Sequence, residues 1–175
     1  MNKKPIYVLD ATPIIYFAKI GKLELVLDIC DAHITREVYS ETVERGGGCA
    51  DSVIIKDAVR RGKMKVYEIK QGRTVKALLR HSEIHPGEAE TIAASKELDG
   101  IGVIDDEEAR TIARTYGVKC APGTLFLLFR LIQLKKIDKD DAEGMLADLI
   151  ASGLYLDSRT LLRAKEKLQR HGDRS

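Results

Sequence analysis

A parallel α/β domain is what this sequence predicts, on three observations. Short strand-like apolar runs alternate with longer helical patterns through most of the chain. Each run is bounded by Gly, Pro, Asp or Thr, residues that end strands and open turns. A length of 175 residues, 44% hydrophobic and 32% charged, suits one domain with a real core and excludes a disordered tail. Such alternation puts the strands in one parallel sheet with helices on its faces.

The first strand is read over Lys4 to Leu9, where the apolar run Ile6-Tyr7-Val8-Leu9 stops at Asp10. Pro13, at home as the first residue of a helix, opens a helix to Ala18 with Thr12 as its N-cap, which leaves Asp10 without that ordinary job. A helix over Leu23 to Ile29 and a strand over Ala32 to Ile34 follow. Arg36 to Val43 and Ser52 to Arg61 read as helices joined by Gly46-Gly47-Gly48, a loop and a candidate flap. Lys63 to Ile69 is the third strand, followed by helices over Thr74 to Arg80 and Glu88 to Leu98. Ile101 to Ile104 is the fourth strand, Glu107 to Tyr116 a helix, Val118 to Ala121 a short strand and Thr124 to Leu134 a helix. After Ile137 the pattern is helical only, Asp140 to Ala151 and Ser158 to Gln169, joined by Gly153-Leu154-Tyr155-Leu156. Residues 1–137 therefore form the α/β unit and 138–175 a helical extension packed on the same domain.

Composition narrows the class. With Lys+Arg 29 against Asp+Glu 27, a net charge of +2 makes no global case for nucleic acid, so any charge argument must be local. Cys30, Cys49 and Cys120 lie far apart with no C-x-x-C pair, which fits reduced thiols and a cytosolic setting. The basic start Met1-Asn2-Lys3-Lys4 is followed by an apolar run far short of an export signal. Leu125 to Leu134 is broken by Arg130 and Gln133 and falls well below the ~20 residues of a membrane span.

The chemistry lies in the acids. In an open parallel sheet, ligands bind beyond the carboxyl ends of the strands, where the connections change direction. Asp10 follows the first strand there. Asp105-Asp106-Glu107-Glu108 follows the fourth, more acid than a helix N-terminus needs at ~0.3–1 kcal/mol each. Pro86-Gly87-Glu88-Ala89-Glu90 opens a helix whose small residues, Ala93-Ala94-Ser95, let it approach the sheet closely. Glu41 is the fourth candidate, with an i, i+4 pair to Arg45 as its ordinary alternative. Acids gathered in this way repel, and some stay protonated unless a divalent cation relieves them. Oxygen-only ligands select a hard ion, Mg²⁺ or Mn²⁺.

These residues resemble the PIN-domain ribonucleases, in particular the VapC-like toxin branch. The likeness is carried by Val8-Leu9-Asp10-Ala11-Thr12-Pro13, by Ile34-Thr35-Arg36-Glu37-Val38 leading to Glu41, and by Pro86-Gly87-Glu88-Ala89-Glu90. Ile104-Asp105-Asp106 with Ala109-Arg110, and Gly123-Thr124-Leu125, complete it over about 150 residues. The resemblance implies a three-layer α/β/α domain, one or two Mg²⁺ or Mn²⁺ ions, and hydrolysis of RNA phosphodiesters. Carried over, Asp10 resembles the first metal ligand, Thr12 a supporting hydroxyl and Glu41 the second-motif acid. Glu88 and Glu90 resemble the third-motif pair, and Asp106, with Asp105 beside it, the last-motif acid. Asp10, Glu41, Glu88 and Asp106 are thus the expected catalytic set, and Asp10, Glu88, Glu90, Asp105 and Asp106 the expected metal ligands.

RNA is the expected substrate and a small antitoxin protein, inserting Arg or Lys among the acids, the expected inhibitor. Arg60-Arg61-Gly62-Lys63, Arg73/Lys76/Arg80 and the tail Arg159, Arg163, Lys165, Lys167 and Arg170 are candidate phosphate contacts, with solvated helix faces as the alternative. Leu125 to Ile132 is apolar nearly all round, which predicts a homodimer unless the last helices cover it. Other readings are a PIN-type nuclease of RNA maturation and a non-cleaving RNA-binding or assembly module. A receiver-like signalling domain fits Asp10-Ala11-Thr12 and Val118-Lys119-Cys120 poorly.

Overall fold

The computed structural model describes residues 4–172; residues 1–3, most of the basic start, and 173–175, the end of the extension, lie outside the described residues. Ile6–Leu9 (β1), Asp31–Thr35 (β2), Met64–Tyr67 (β3), Ile101–Ile104 (β4) and Cys120–Pro122 (β5) form one sheet, parallel throughout, in the order β3-β2-β1-β4-β5. The chain leaves β1 outward to β2 and β3, then returns to β4 on the other side of β1. The order therefore reverses between β1 and β4, at the centre of the sheet. Val8 lies opposite His33 on one side and Gly102 on the other. The Asp10 N–H donates to the Val103 carbonyl at 3.1 Å, carrying the ladder one residue past β1.

The helices are α1 (Ala11–Lys19), α2 (Leu23–Ile29), α3 (Arg36–Tyr39), α4 (Ala50–Arg60), α5 (Gly72–Leu78), α6 (Pro86–Glu97), α7 (Glu107–Thr115), α8 (Gly123–Gln133), α9 (Lys139–Ala151) and α10 (Ser158–Gly172). Alternate strand residues face opposite sides of a sheet, so each face needs its own cover. Tyr7, Leu9 and Val103 belong to one apolar cluster with residues of α1, α2, α4 and α8. Ile104 belongs to a second, with Leu78 of α5, Ile92 of α6 and Ala109 and Ala113 of α7. Both faces are buried, and the fold is the expected three-layer α/β/α arrangement.

The last helices continue the first cluster. Ala142, Met145 and Leu149 of α9 and Ala164 and Leu168 of α10 pack into one core with Leu127, Leu128 and Leu131 of α8. With α1, α2 and β4 against its other sides, α8 spends most of its apolar circumference inside the chain, with Leu125, Phe126 and Ile132 part-exposed. No helix among the described residues is long and apolar enough to cross a membrane.

Two local readings change. The first helix begins at Ala11, so Thr12 lies inside it and Asp10 takes the N-cap position. Proline so near a helix start does no harm, because the first four N–H groups have no partner within the helix. The segment expected as one helix over Arg36 to Val43 is α3 followed by a π-helical turn, Ser40–Glu44. The Arg45 N–H reaches back five residues to the Ser40 carbonyl at 2.8 Å, and the Thr42 hydroxyl donates to the Val38 carbonyl at 2.8 Å. Such wide turns reorient the side chains that follow and occur often at functional sites. Glu41 sits in this one.

Candidate active site

Asp10 leaves the carboxyl end of β1, the central strand, at the point where strand order reverses. It is 7% exposed, and although it stands at the N-cap of α1 its side chain makes no capping hydrogen bond. Burial pushes its carboxyl up to about 7, with Glu88 next and Glu41 and Asp105 adding, against the Ala11 amide. A buried acid surrounded by acids is costly to ionise and is poised to take a cation.

α6 brings the second group. Glu88 is buried in its first turn and accepts the His85 N–H at 2.9 Å. Burial raises its pKa, the Asp106 and Glu41 carboxylates raise it further, and the His85 N–H opposes them. Gly87 makes room for Glu41: a Cβ there would come within 3.0 Å of the Glu41 Oε2. The π-turn thus lays its carboxylate against the start of α6. Burial raises the Glu41 pKa, Glu37 adds to it, and Arg45, at 3.8 Å, opposes. Glu90 acts on Glu41 and raises its pKa, while its own Oε2 accepts the Glu37 N–H at 3.0 Å and ties α6 to the start of α3.

Asp105 and Asp106 leave β4 beside β1 and divide the work. The Asp106 Oδ1 accepts the Ala109 N–H at 2.7 Å and caps α7. Asp105 is held from α8, where the Thr124 N–H donates to Oδ1 at 2.8 Å and the Thr124 hydroxyl to Oδ2 at 2.6 Å. Burial raises the Asp105 pKa against those two bonds. Gly123, at φ +43°, is required here, since a Cβ would lie 2.1 Å from the Asp105 Oδ1. The Arg110 guanidinium donates to the carbonyls of Ile104 and Asp105, at 2.8 and 2.5 Å, and braces the turn from behind.

The fold therefore gathers Asp10, Glu41, Glu88, Asp105 and Asp106 within electrostatic reach at the switch point, while Glu90 is engaged at its edge. Thr12 is half-buried in α1, two residues after Asp10. Among the described residues no three His, Cys, Asp or Glu side chains already stand in a metal-holding cluster. Glu88, Glu90, Asp105 and Asp106 each accept an N–H group on one oxygen. The donor set itself is all carboxylate oxygen and suits a hard divalent cation, with burial raising the pKa of Asp10, Glu41, Glu88 and Asp105 and neighbouring carboxylates adding at the first three.

A family model described as a PIN domain matches residues 6–170, nearly the whole described chain and all five strands. This chain belongs to the PIN-domain family. No curated protein matches it. PIN domains are generally nucleases and typically use divalent metals, and the acidic switch point is the candidate site for such chemistry in this one. Sequence reasoning did not assign roles to Gly87, Arg110, Gly123 or Thr124. The signal for Thr124 was its place in Gly123-Thr124-Leu125, one of the stretches that carry the family likeness.

The basic candidates also separate. Arg60 and Arg61 both pair with Asp57, Arg61 also pairs with Glu24, and Lys63 lies 3.7 Å from Asp28. That run is neutralised within the chain.

Proposed function

We propose that this PIN domain is a Mg²⁺- or Mn²⁺-dependent ribonuclease and the toxin of a toxin–antitoxin pair, of the VapC-like branch. The observation that carries the nuclease reading is the pairing of Asp10 and Asp105 at the ends of adjacent central strands. Glu88 and Glu41 converge on them, and every carboxylate acting on Asp10 raises its pKa.

Asp10, Glu88 and Asp105 would hold the ion, with Asp106 and Glu90 at its rim and Thr12 orienting a water. When bound, a divalent cation lowers the pKa of water and offsets the charge that builds on a phosphodiester in in-line displacement. The residues do the rest. Asp10 and Asp105 follow the adjacent strands β1 and β4, so the sheet sets their backbone positions beside each other. Thr124 fixes both oxygens of Asp105. Glu41, carried on its own turn and partly open to solvent, is placed to accept a proton from an attacking water. No protein nucleophile is required, and no histidine has a serine or cysteine at a spacing that would make one.

RNA cleavage measured with Mg²⁺, with Mn²⁺ and in excess EDTA tests this, alongside Asp10→Asn. Cleavage that survives EDTA or the substitution ends the metal-nuclease reading, and RNA binding without cleavage would make the chain an assembly module. The toxin reading rests on the likeness of its motifs to that branch and places the chain in the cytoplasm, with a small antitoxin and a homodimer as partners. An antitoxin that inserts Arg or Lys among the acids competes with metal. Growth arrest on expression, relieved by the neighbouring gene's product, is the test.

A further inference from the structure

Beside the acids, α7, α8 and α10 enclose a groove of about 570 Å³. Its inner rim, Glu107, Arg110 and Pro122, adjoins the acid-bearing turn: Glu107 follows Asp106 in the chain, Arg110 donates to the carbonyls of Ile104 and Asp105, and Pro122 precedes Gly123 and Thr124, which hold Asp105. Its floor is Leu125 and Phe126, both part-exposed, and its far wall is Arg163 and Lys167 of α10. Lys167, which lines the groove, holds its Nζ 4.1 Å from the centroid of the Phe129 ring. α10 carries five Lys or Arg (Arg159, Arg163, Lys165, Lys167, Arg170) against one acid, Glu166, in a chain whose net charge is +2. The basic excess of the whole chain is thus concentrated on the helix that walls this groove. Cations beside an apolar floor match a polymer that alternates phosphates with flat bases.

We propose that this groove carries the single-stranded RNA flanking the scissile bond, with Arg163 and Lys167 on its phosphates and its bases against Leu125 and Phe126. The proposal rests on the nuclease reading of the acidic site and extends it to the substrate's path. It also separates the cations of α10: Lys165 lines a different groove, between α9 and α10, and lies off the path.

The test is binding of the whole chain to a fluorescent single-stranded RNA of about 12 nucleotides, within the usual site size. Anisotropy is followed in EDTA across a series of salt concentrations. Arg163→Ala should weaken binding several-fold and reduce the slope of log K against log salt by about 0.7, one phosphate contact on a single strand. Arg163→Ala with Lys167→Ala should double that change, Lys167→Arg should keep wild-type affinity, and Lys165→Ala should leave affinity and slope unaltered. These exposed positions allow substitution without unfolding, which thermal melting checks. A double variant that binds like wild type overturns the proposal. So does an equal loss in Lys165→Ala, which would make the effect one of net charge, or equal affinity for a duplex of the same sequence. A double variant that keeps RNA but no longer co-purifies with a protein partner would assign the groove to that partner instead. Because EDTA removes turnover from the measurement, a chain that binds through the groove and never cleaves fails the nuclease reading alone.

Discussion

Two aspartates on neighbouring strands occupy opposite ends of the sheet and meet opposite electrostatic fates. Asp31 stands at the amino end of β2, beside Ile6 of β1, with the Lys65 ammonium at 2.7 Å and the His33 Nε2 at 3.4 Å. Burial alone would raise its pKa, but Lys65 and His33 outweigh burial and lower it. Asp10 stands at the carboxyl end of β1, and the charged groups that act on it are carboxylates, so its pKa climbs to about 7. The fold supplies Asp31 with a cation from a neighbouring strand and leaves Asp10 to be neutralised by something from outside. An acid that the fold satisfies and an acid that it leaves among other acids are told apart by their surroundings, since the residue type is the same.

The sharpest break between them is in turnover. Asp10→Asn should reduce RNA cleavage by more than the roughly 10–100-fold that outer-shell changes cost at metal sites. Asp31→Asn should leave cleavage unchanged and cost no more than about 1 kcal/mol, as expected of a half-exposed ion pair. Single-turnover cleavage and thermal melting, measured on both variants, check the contrast. Equal losses of cleavage in the two would erase it.

Proton linkage separates the two aspartates with opposite signs. Asp10 has its folded pKa raised from 3.8 to about 7. Between those values the folded chain binds more protons than the unfolded one, so metal-free stability falls as pH rises through that window. At about 1.4 kcal/mol per pKa unit the loss is of the order of a few kcal/mol. Glu88, Glu41 and Asp105, all raised, act in the same direction. Asp31, with its pKa lowered, contributes stability above its ordinary value that is lost as pH falls through the lowered one. Melting in EDTA from about pH 5 to pH 8 should therefore show a declining Tm, flattened in Asp10→Asn and unchanged in slope in Asp31→Asn. Saturating Mg²⁺ should flatten the wild-type curve too.

Asp105 offers a third arrangement: an acid at the carboxyl end of the sheet whose oxygens are held by neutral donors. Thr124→Val keeps the shape and the backbone N–H but removes the 2.6 Å hydroxyl bond to Oδ2. The expected cost is about 1.5–3 kcal/mol, the usual range for a hydrogen bond to a charged group. Metal affinity, followed by the Mg²⁺ dependence of cleavage, should fall roughly 10-fold, as for an outer-shell partner. Thr124→Ser should restore both. Failure of serine to rescue would mean that Thr124 matters for packing alone.

The contrast between the two ends was half legible in the sequence. Apolar runs bounded by Asp, Gly and Pro told where strands stop, so the acids at Asp10 and Asp105-Asp106 could be placed at strand ends before any coordinates. Small residues in Ala93-Ala94-Ser95 told that α6 comes close to the sheet, and it packs on β1, β2 and β4. The π-turn left no trace, because one widened turn does not change the hydrophobic period over so short a stretch. The division between Asp105 and Asp106 was also hidden. Adjacent identical residues differ only in what the fold puts opposite them, and Thr124 lies 19 positions away from Asp105. The cation that distinguishes Asp31 is equally remote in sequence, since Lys65 reaches it across 34 positions.

The smallest effect belongs to Glu90, which tests how far the proposed metal site extends. Its motif places it beside Glu88 as a metal ligand, yet its Oε2 accepts the Glu37 N–H at 3.0 Å, at the start of the segment that leads to the Glu41 turn. An amide oxygen can accept that same bond. Glu90→Gln should therefore hold α3 in place, shift stability by no more than about 0.5 kcal/mol and lower cleavage only several-fold, with the Mg²⁺ requirement nearly unchanged. Glu90→Ala, which leaves the Glu37 N–H without its acceptor, should cost more stability and disturb Glu41 through α3, about 1–3 kcal/mol for a donor left unpaired. The order of the two variants is the measurement that matters. If Glu90→Gln loses cleavage as completely as Asp10→Asn while α3 stays folded, its charge is used on the ion and Glu90 belongs with Asp10. If only Glu90→Ala is impaired, Glu90 belongs with Asp31, among the acids that the fold has already satisfied.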